Sequence, residues 1–178
     1  MKGTARRDPN PIIDRQILDD LLSDAKMQAE NLMIVDLIRN DLSRVSEPHS
    51  VRVSRLFEPR ILSSVHQGSS LIESTLRSDI DPCPLIKALF PCGSVVGVPK
   101  AKAFELIQML ESDARGIYTG SLGLMEPSGD MTFSVAIRTT EQRGEQVVLR
   151  LGSGLVADSE LEDEWAECLL KGRFAGVA

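Results

Sequence analysis

The densest chemistry in this chain lies in residues 151–171, LGSGLVADSELEDEWAECLLK. Gly152-Ser153-Gly154 is backbone that a ligand can approach closely, because glycine carries no Cβ. Directly after it, Glu160, Glu164, Glu167 and Lys171 recur at i, i+4, i+7 and i+11, which is one face of a helix. Leu161, Trp165 and Cys168 repeat at the same spacing on a second face that can be buried. Charge alone makes such a helix an ordinary solvated surface element. The glycine turn beside it adds a second meaning: carboxylates holding a divalent cation that in turn holds an anionic substrate. Ser159 with Glu162 three residues later reads as a capping box, so the helix is predicted to begin near Glu160.

Other chemistries are poorly supported. The three cysteines, Cys83, Cys92 and Cys168, are an odd number without paired-ligand spacing, which argues against a disulfide framework or a zinc site. Cys92 has only His49 and His66 as possible bases and no triad spacing, so a thiol nucleophile has no support. Twenty basic residues against 26 acidic ones give a net charge of −6, with no basic cluster interleaved with aromatics, so nucleic acid is not an expected partner. No apolar run is long enough to span a bilayer and no charged-then-apolar leader opens the chain. A cytoplasmic protein with no membrane partner is expected.

The elements that must position these residues follow from periodicity. At 178 residues the chain has the size of one domain. Residues 1–11 are polar and turn-forming, and Ile13, Ile17, Leu21 and Ala25 then predict a helix over residues 12–31. Leu32-Met33-Ile34-Val35 fits a buried strand or a continued helix, and Arg39-Asn40-Asp41 reads as a turn. Strands are predicted over residues 51–57 and 65–75, and a short helix over residues 82–90. Residues 93–97 read as a glycine-bounded loop, and a helix from Pro99 to about Glu111 turns Ala103, Leu106, Ile107 and Leu110 inward. Residues 117–125, 131–140 and 147–155 read as a three-stranded meander. The pattern predicts an α+β fold, an antiparallel sheet with packed helices, over a single domain of residues 1–178.

Five segments together resemble the chorismate-utilising enzymes, a family that includes anthranilate, aminodeoxychorismate, isochorismate and salicylate synthases. They are ENLMIVDLIRND (30–41), FPCGSVVGVPKAKA (90–103), RGIYTGSLG (115–123), FSVAIRT (133–139) and LGSGLVADSELEDEWAE (151–167), in the family's order and spacing. The resemblance implies the carboxy-terminal half of the anthranilate-synthase-like chorismate-binding fold. The chain begins inside the family's Pro-x-x-Gly-Thr element, so the preceding half of the domain, with a Ser-Pro-Glu segment whose glutamate is an implied general acid, is expected to be absent.

The resemblance also assigns roles. Glu30 and Glu167 match magnesium ligands, one from each of two helices, and Glu164 matches a glutamate that supports Mg2+ through water. Arg138 matches the arginine that grips a substrate carboxylate, and Tyr118 and Lys171 match positions binding the same anion. Gly152 matches a backbone N–H donor to it, and Ser94 a hydroxyl at the ring's edge. A catalytic histidine near the leaving hydroxyl aligns with His66 or, without a gap, with Gln67. Val96 and Val98 replace a hydroxyl and an alanine of the family pattern, giving a more apolar loop. Lys2, before Gly3-Thr4, resembles the aminodeoxychorismate synthase branch, where that lysine is implied to attack C2 of chorismate. The implied activity is amination of chorismate to 4-amino-4-deoxychorismate, towards p-aminobenzoate and folate, with ammonia from a glutamine amidotransferase subunit or domain. Two alternatives stand beside it: an anthranilate synthase or other chorismate enzyme in which Lys2 is incidental, and a non-catalytic remnant or binding fragment.

Overall fold

The computed structural model describes residues 1–63, 65–157 and 159–176, apart from the side chains of Lys2 and Phe174. The chain divides into two compact units, Met1–Phe90 and Pro91–Ala178. Among the described residues no single helix is long and apolar enough to cross a membrane.

In the first unit, β1 (Lys2–Arg6), β2 (Arg52–Ile61) and β3 (Val65–Glu73) form an antiparallel sheet in the order β1-β3-β2. Pro59 is tolerated because β2 is an edge strand, where a missing N–H breaks no second ladder. Helices α1 (Pro11–Ser23) and α2 (Ala25–Ser43) contribute Leu18, Leu21, Ile34 and Val35 to the buried core, which Val45 completes. The helix predicted over residues 12–31 is therefore two helices. Asp24 ends the first and caps the second, its Oδ1 accepting the Met27 N–H at 2.9 Å, and this local bond outcompetes a continuous ladder. Gln28 Nε2 donates to the Leu22 carbonyl left over at the break, at 2.6 Å. Leu32–Val35 continue α2, and so do Arg39-Asn40-Asp41, which the sequence suggested as a turn. Gly3 has φ 72°, and a Cβ there would stand 3.0 Å from Leu21 Cδ1, so only glycine lets β1 lie this close to α1. Helix α3 (Pro82–Leu89) stands where proline-led periodicity predicts it.

In the second unit, residues 93–96 form a one-turn helix, α4 (Gly93–Val96), where a loop was expected. Helix α5 (Lys100–Leu110) follows with Pro99 as its N-cap. Leu106 and Leu110 of its anticipated inward face are exposed. The anticipated meander is two separate hairpins, β4 (Ser121–Met125) with β5 (Met131–Val135), and β6 (Thr140–Arg143) with β7 (Gln146–Leu149). Gly123 faces Phe133 across the first hairpin, and the ring lies over it where a Cβ would otherwise stand. Helix α6 (Leu161–Gly172) closes the unit, followed by a 3-10 turn over Arg173–Ala175. Leu161 and Trp165, proposed for a buried face, are exposed at 80% and 60%.

Candidate active site

Helix α6 begins with Glu160 as N-cap and no side-chain capping bond, so the anticipated Ser159–Glu162 box does not form. Ser159 instead accepts the Val156 N–H at 3.0 Å and donates to Glu164 Oε1 at 2.6 Å. The stripe predicted from helical spacing is present one turn further on. The Ser153 hydroxyl is shared between Oε2 of Glu164 and Oε2 of Glu167, which brings both carboxylates to one point. Lys171 Nζ lies 3.2 Å from Glu167 Oε1 and donates to the Gly152 carbonyl at 3.0 Å. A half-exposed i,i+4 pair of this kind contributes only about 0.3–0.5 kcal/mol. Its effect is positional: it ties α6 to the Gly152-Ser153-Gly154 turn.

Tyr118 meets the same turn. A Cβ on Gly152 would lie 2.5 Å from the Tyr118 hydroxyl oxygen, so glycine is required there by close approach. Burial pushes the Tyr118 hydroxyl pKa up, and the Arg115 guanidinium, 5.6 Å from the ring centroid, opposes that shift. Burial likewise raises the thiol of Cys168 on α6, with Lys171 opposing and Glu167 reinforcing. One region thus gathers a neutral phenol, an ammonium, a glycine backbone and two carboxylates. Such a set can bind an oxyanion through the phenol and ammonium while the carboxylates serve a cation.

Of the remaining predicted residues of this unit, one stands in a one-turn helix and one between two strands. Ser94 lies in α4, exposed, with its Oγ 3.0 Å from Cys92 Sγ. Arg138 is exposed between β5 and β6 in a left-handed conformation, φ 52°, which is uncommon for a residue with a side chain. It forms no ion pair among the described residues.

Lys2, Glu30 and His66 belong to the first unit. Lys2 stands in β1 opposite Gly68, and its side chain lies outside the described residues. Glu30 is a half-buried residue of α2 beside Asn31, which is buried and accepts from the Ser70 hydroxyl at 3.0 Å. His66 is 1% exposed. Its Nε2 bonds Asp14 Oδ1 at 2.8 Å; Asp14 also accepts from Arg7 Nε at 2.8 Å and from the Asp8 N–H at 3.0 Å. Its Nδ1 is also buried, and among the described residues it meets no hydrogen-bond partner. In this network the His66 ring is shielded from solvent and held by Asp14. Gln67 faces the other way: it pairs with Thr4 across the strands, and its Nε2 donates to Thr4 Oγ1 at 3.4 Å. The ungapped register therefore places Gln67 on the side of Thr4.

Among the described residues no group of three or more His, Cys, Asp or Glu side chains is gathered to hold a metal. The Glu164–Glu167 pair nonetheless fits magnesium. It supplies hard carboxylate oxygens converging on one point, and this ion takes one or two carboxylates and completes its shell with water and substrate oxygens.

Sequence reasoning missed two contributors. The Ser153 hydroxyl was read only as part of a glycine turn, although a serine between two glycines ahead of an acidic helix is a usable signal. Arg115 was read only as part of a segment, and nothing in its spacing marks its contacts.

Comparison with known proteins gives a consistent picture. The family described as chorismate binding enzyme matches residues 1–175. Anthranilate synthase component 1 of Aquifex aeolicus is 41% identical over 171 residues, covering 96% of this chain and 35% of the relative. Aminodeoxychorismate synthase component 1 of Salmonella typhimurium is 41% identical over 167 residues, covering 94% of this chain and 37% of the relative. The chain thus spans little more than a third of these relatives. The crystal structure of anthranilate synthase component I from Streptococcus pneumoniae superposes with a TM-score of 0.85 at 35% identity, over 97% of this chain and 40% of that one. The menaquinone-specific isochorismate synthase of Escherichia coli superposes with a TM-score of 0.83 at 28% identity, over 99% and 40%.

Proposed function

Because this chain belongs to the chorismate binding enzyme family, we propose that it forms the carboxy-terminal part of an aminodeoxychorismate synthase component I. The observation that carries an anion-binding, cation-assisted reading is the meeting of Tyr118, Gly152 and Lys171 beside the Glu164–Glu167 pair. Chorismate is a dicarboxylate whose C4 hydroxyl must leave. In the proposed reaction chorismate and ammonia yield 4-amino-4-deoxychorismate and water, the ammonia coming from a glutamine amidotransferase subunit or domain.

The roles divide by chemistry. Tyr118, Lys171 and the Gly152 backbone hold one substrate carboxylate, and Arg138 supplies a guanidinium fork suited to the same group. Ser94 borders the ring. Glu164 and Glu167 would hold Mg2+, which would neutralise a substrate carboxylate, and the family resemblance assigns Glu30 the same role. Lys2 attacks C2 as a neutral amine while the C4–O bond breaks and the hydroxyl leaves as water. Ammonia then forms the C4–N bond as the C2–N bond to Lys2 breaks, returning the lysine. Gly3, next to Lys2 in β1, packs closely against Leu21.

A second reading has its own support. The Aquifex relative, as similar as the Salmonella one, is an anthranilate synthase component. Lys2→Ala separates the two. Measured in the assembled enzyme with ammonium as nitrogen source and mass spectrometry of the product, it abolishes 4-amino-4-deoxychorismate formation. Near-normal rates in that variant, or anthranilate as the wild-type product, would move the anthranilate reading ahead.

A further inference from the structure

Arg115 is assigned no contact with substrate, yet its guanidinium lies over the ring of Tyr118, which is. Its side chain is 21% exposed. Nε donates to Glu111 Oε2 at 2.9 Å and Nη2 to Glu111 Oε1 at 2.6 Å, a two-pronged grip on the residue that ends α5. Nη1 donates to Thr119 Oγ1 at 3.2 Å and to the Val95 carbonyl at 3.4 Å. The edge of the guanidinium is thereby occupied, and its face is left for the Tyr118 ring. A lysine cannot reproduce this, because a point charge has neither a fork nor a flat face.

The backbone of the same turn is held by other groups. The Ile117 N–H donates to Glu141 Oε1 at 2.8 Å, and the Thr119 N–H to the Ala136 carbonyl at 2.9 Å. The Tyr118 N–H donates to the Arg115 carbonyl at 3.1 Å, a backbone bond that a side-chain substitution leaves in place, so the Tyr118 ring is what the Arg115 side chain faces directly.

We propose that Arg115 is a positioning residue: anchored by Glu111, its guanidinium clamps the Tyr118 ring so that the hydroxyl stands at Gly152, beside Lys171. The consequence for catalysis rests on the proposed role of Tyr118 as a ligand of a substrate carboxylate; the clamp itself does not.

Tyr118 is the only tyrosine in the chain, so protein labelled with ring-13C tyrosine gives one set of ring resonances. In the wild-type protein they stand apart from those of a short tyrosine peptide. Arg115→Met moves them to the peptide positions with an unchanged far-ultraviolet circular dichroism spectrum. Arg115→Lys does not restore them, and Glu111→Gln moves them part of the way. In the assembled enzyme, Arg115→Met raises KM for chorismate about tenfold, the scale of one hydrogen bond, with kcat little changed. Should Arg115→Met fail to fold, Glu111→Gln carries the test alone. Unmoved ring resonances in Glu111→Gln and in a folded Arg115→Met overturn the proposal. Moved resonances with unchanged KM uphold the clamp and overturn the substrate role of Tyr118.

Discussion

Gly152 has no room for a methyl group, since a Cβ would stand 2.5 Å from the Tyr118 hydroxyl oxygen. Gly152→Ala is expected to cost about 1–3 kcal/mol in urea denaturation, the usual cost of overpacking, and to displace that hydroxyl. A variant as stable as wild type would show that Tyr118 swings away freely. Glu167→Gln keeps the side chain's size and removes its charge, so magnesium affinity in a calorimetric titration should fall about 10- to 100-fold without loss of fold. An unchanged titration removes Glu167 from the metal. Asp14 carries a pH dependence. The Arg7 side chain, then the Asp8 N–H and His66, hold its carboxyl well below the usual range against the opposing effect of burial. A carboxyl depressed on folding contributes stability that is complete above its unfolded value of about 3.9 and is lost as pH falls through the lower folded value. Wild-type melting temperature should therefore drop below about pH 4 more steeply than that of Asp14→Asn, which starts lower at neutral pH. Parallel profiles from the two proteins would contradict the assignment.

At the scale of elements, the caps decide where helices start. Asp24 bonds the Met27 N–H at the head of α2, and Asp24→Ala should cost about 1 kcal/mol in chemical denaturation. Ser159→Ala should behave differently, because Ser159 does not cap α6. Its loss removes one hydrogen bond from Glu164 Oε1, so helix content should hold while magnesium affinity changes. A drop in helicity without a change in metal binding would restore Ser159 as a cap. The sheet of the first unit is likewise organised by side chains that span elements. Asn31 of α2 accepts from Ser70 of β3, whose oxygen accepts the Phe57 N–H at 3.0 Å, where β2 bulges with φ 49°.

For the whole molecule the governing feature is apolar surface. Buried hydrophobic side chains lie mainly in the first unit, whereas Leu122, Leu124 and Phe133 of the first hairpin and Trp165 of α6 are exposed in the second. Apolar surface on this scale promotes association, and a net charge of −6 opposes it only through long-range repulsion. The isolated chain is expected to bind a hydrophobic dye, to self-associate in light scattering at micromolar concentration, and to be inactive with chorismate and ammonia. A monodisperse, dye-silent monomer that turns over chorismate would defeat this expectation.

Local pattern determined much of this protein. The acidic stripe of α6 was legible because Glu164, Glu167 and Lys171 need only helical spacing to share a face. Strands β2 and β3 and helix α3 were legible from alternation and from proline at a first turn. The family was legible because five motifs keep their order over most of the chain. Tertiary structure decided what period and spacing leave undetermined. Alternation says that His66 and Gln67 face opposite sides of β3, and only the packing of α1 shows which side is closed, through Asp14. The Asp24 break, the shared Ser153 hydroxyl and the approach of Tyr118 to Gly152 have the same origin. Each is a choice between bonding partners that sequence makes equally available, settled by which group the fold brings within reach.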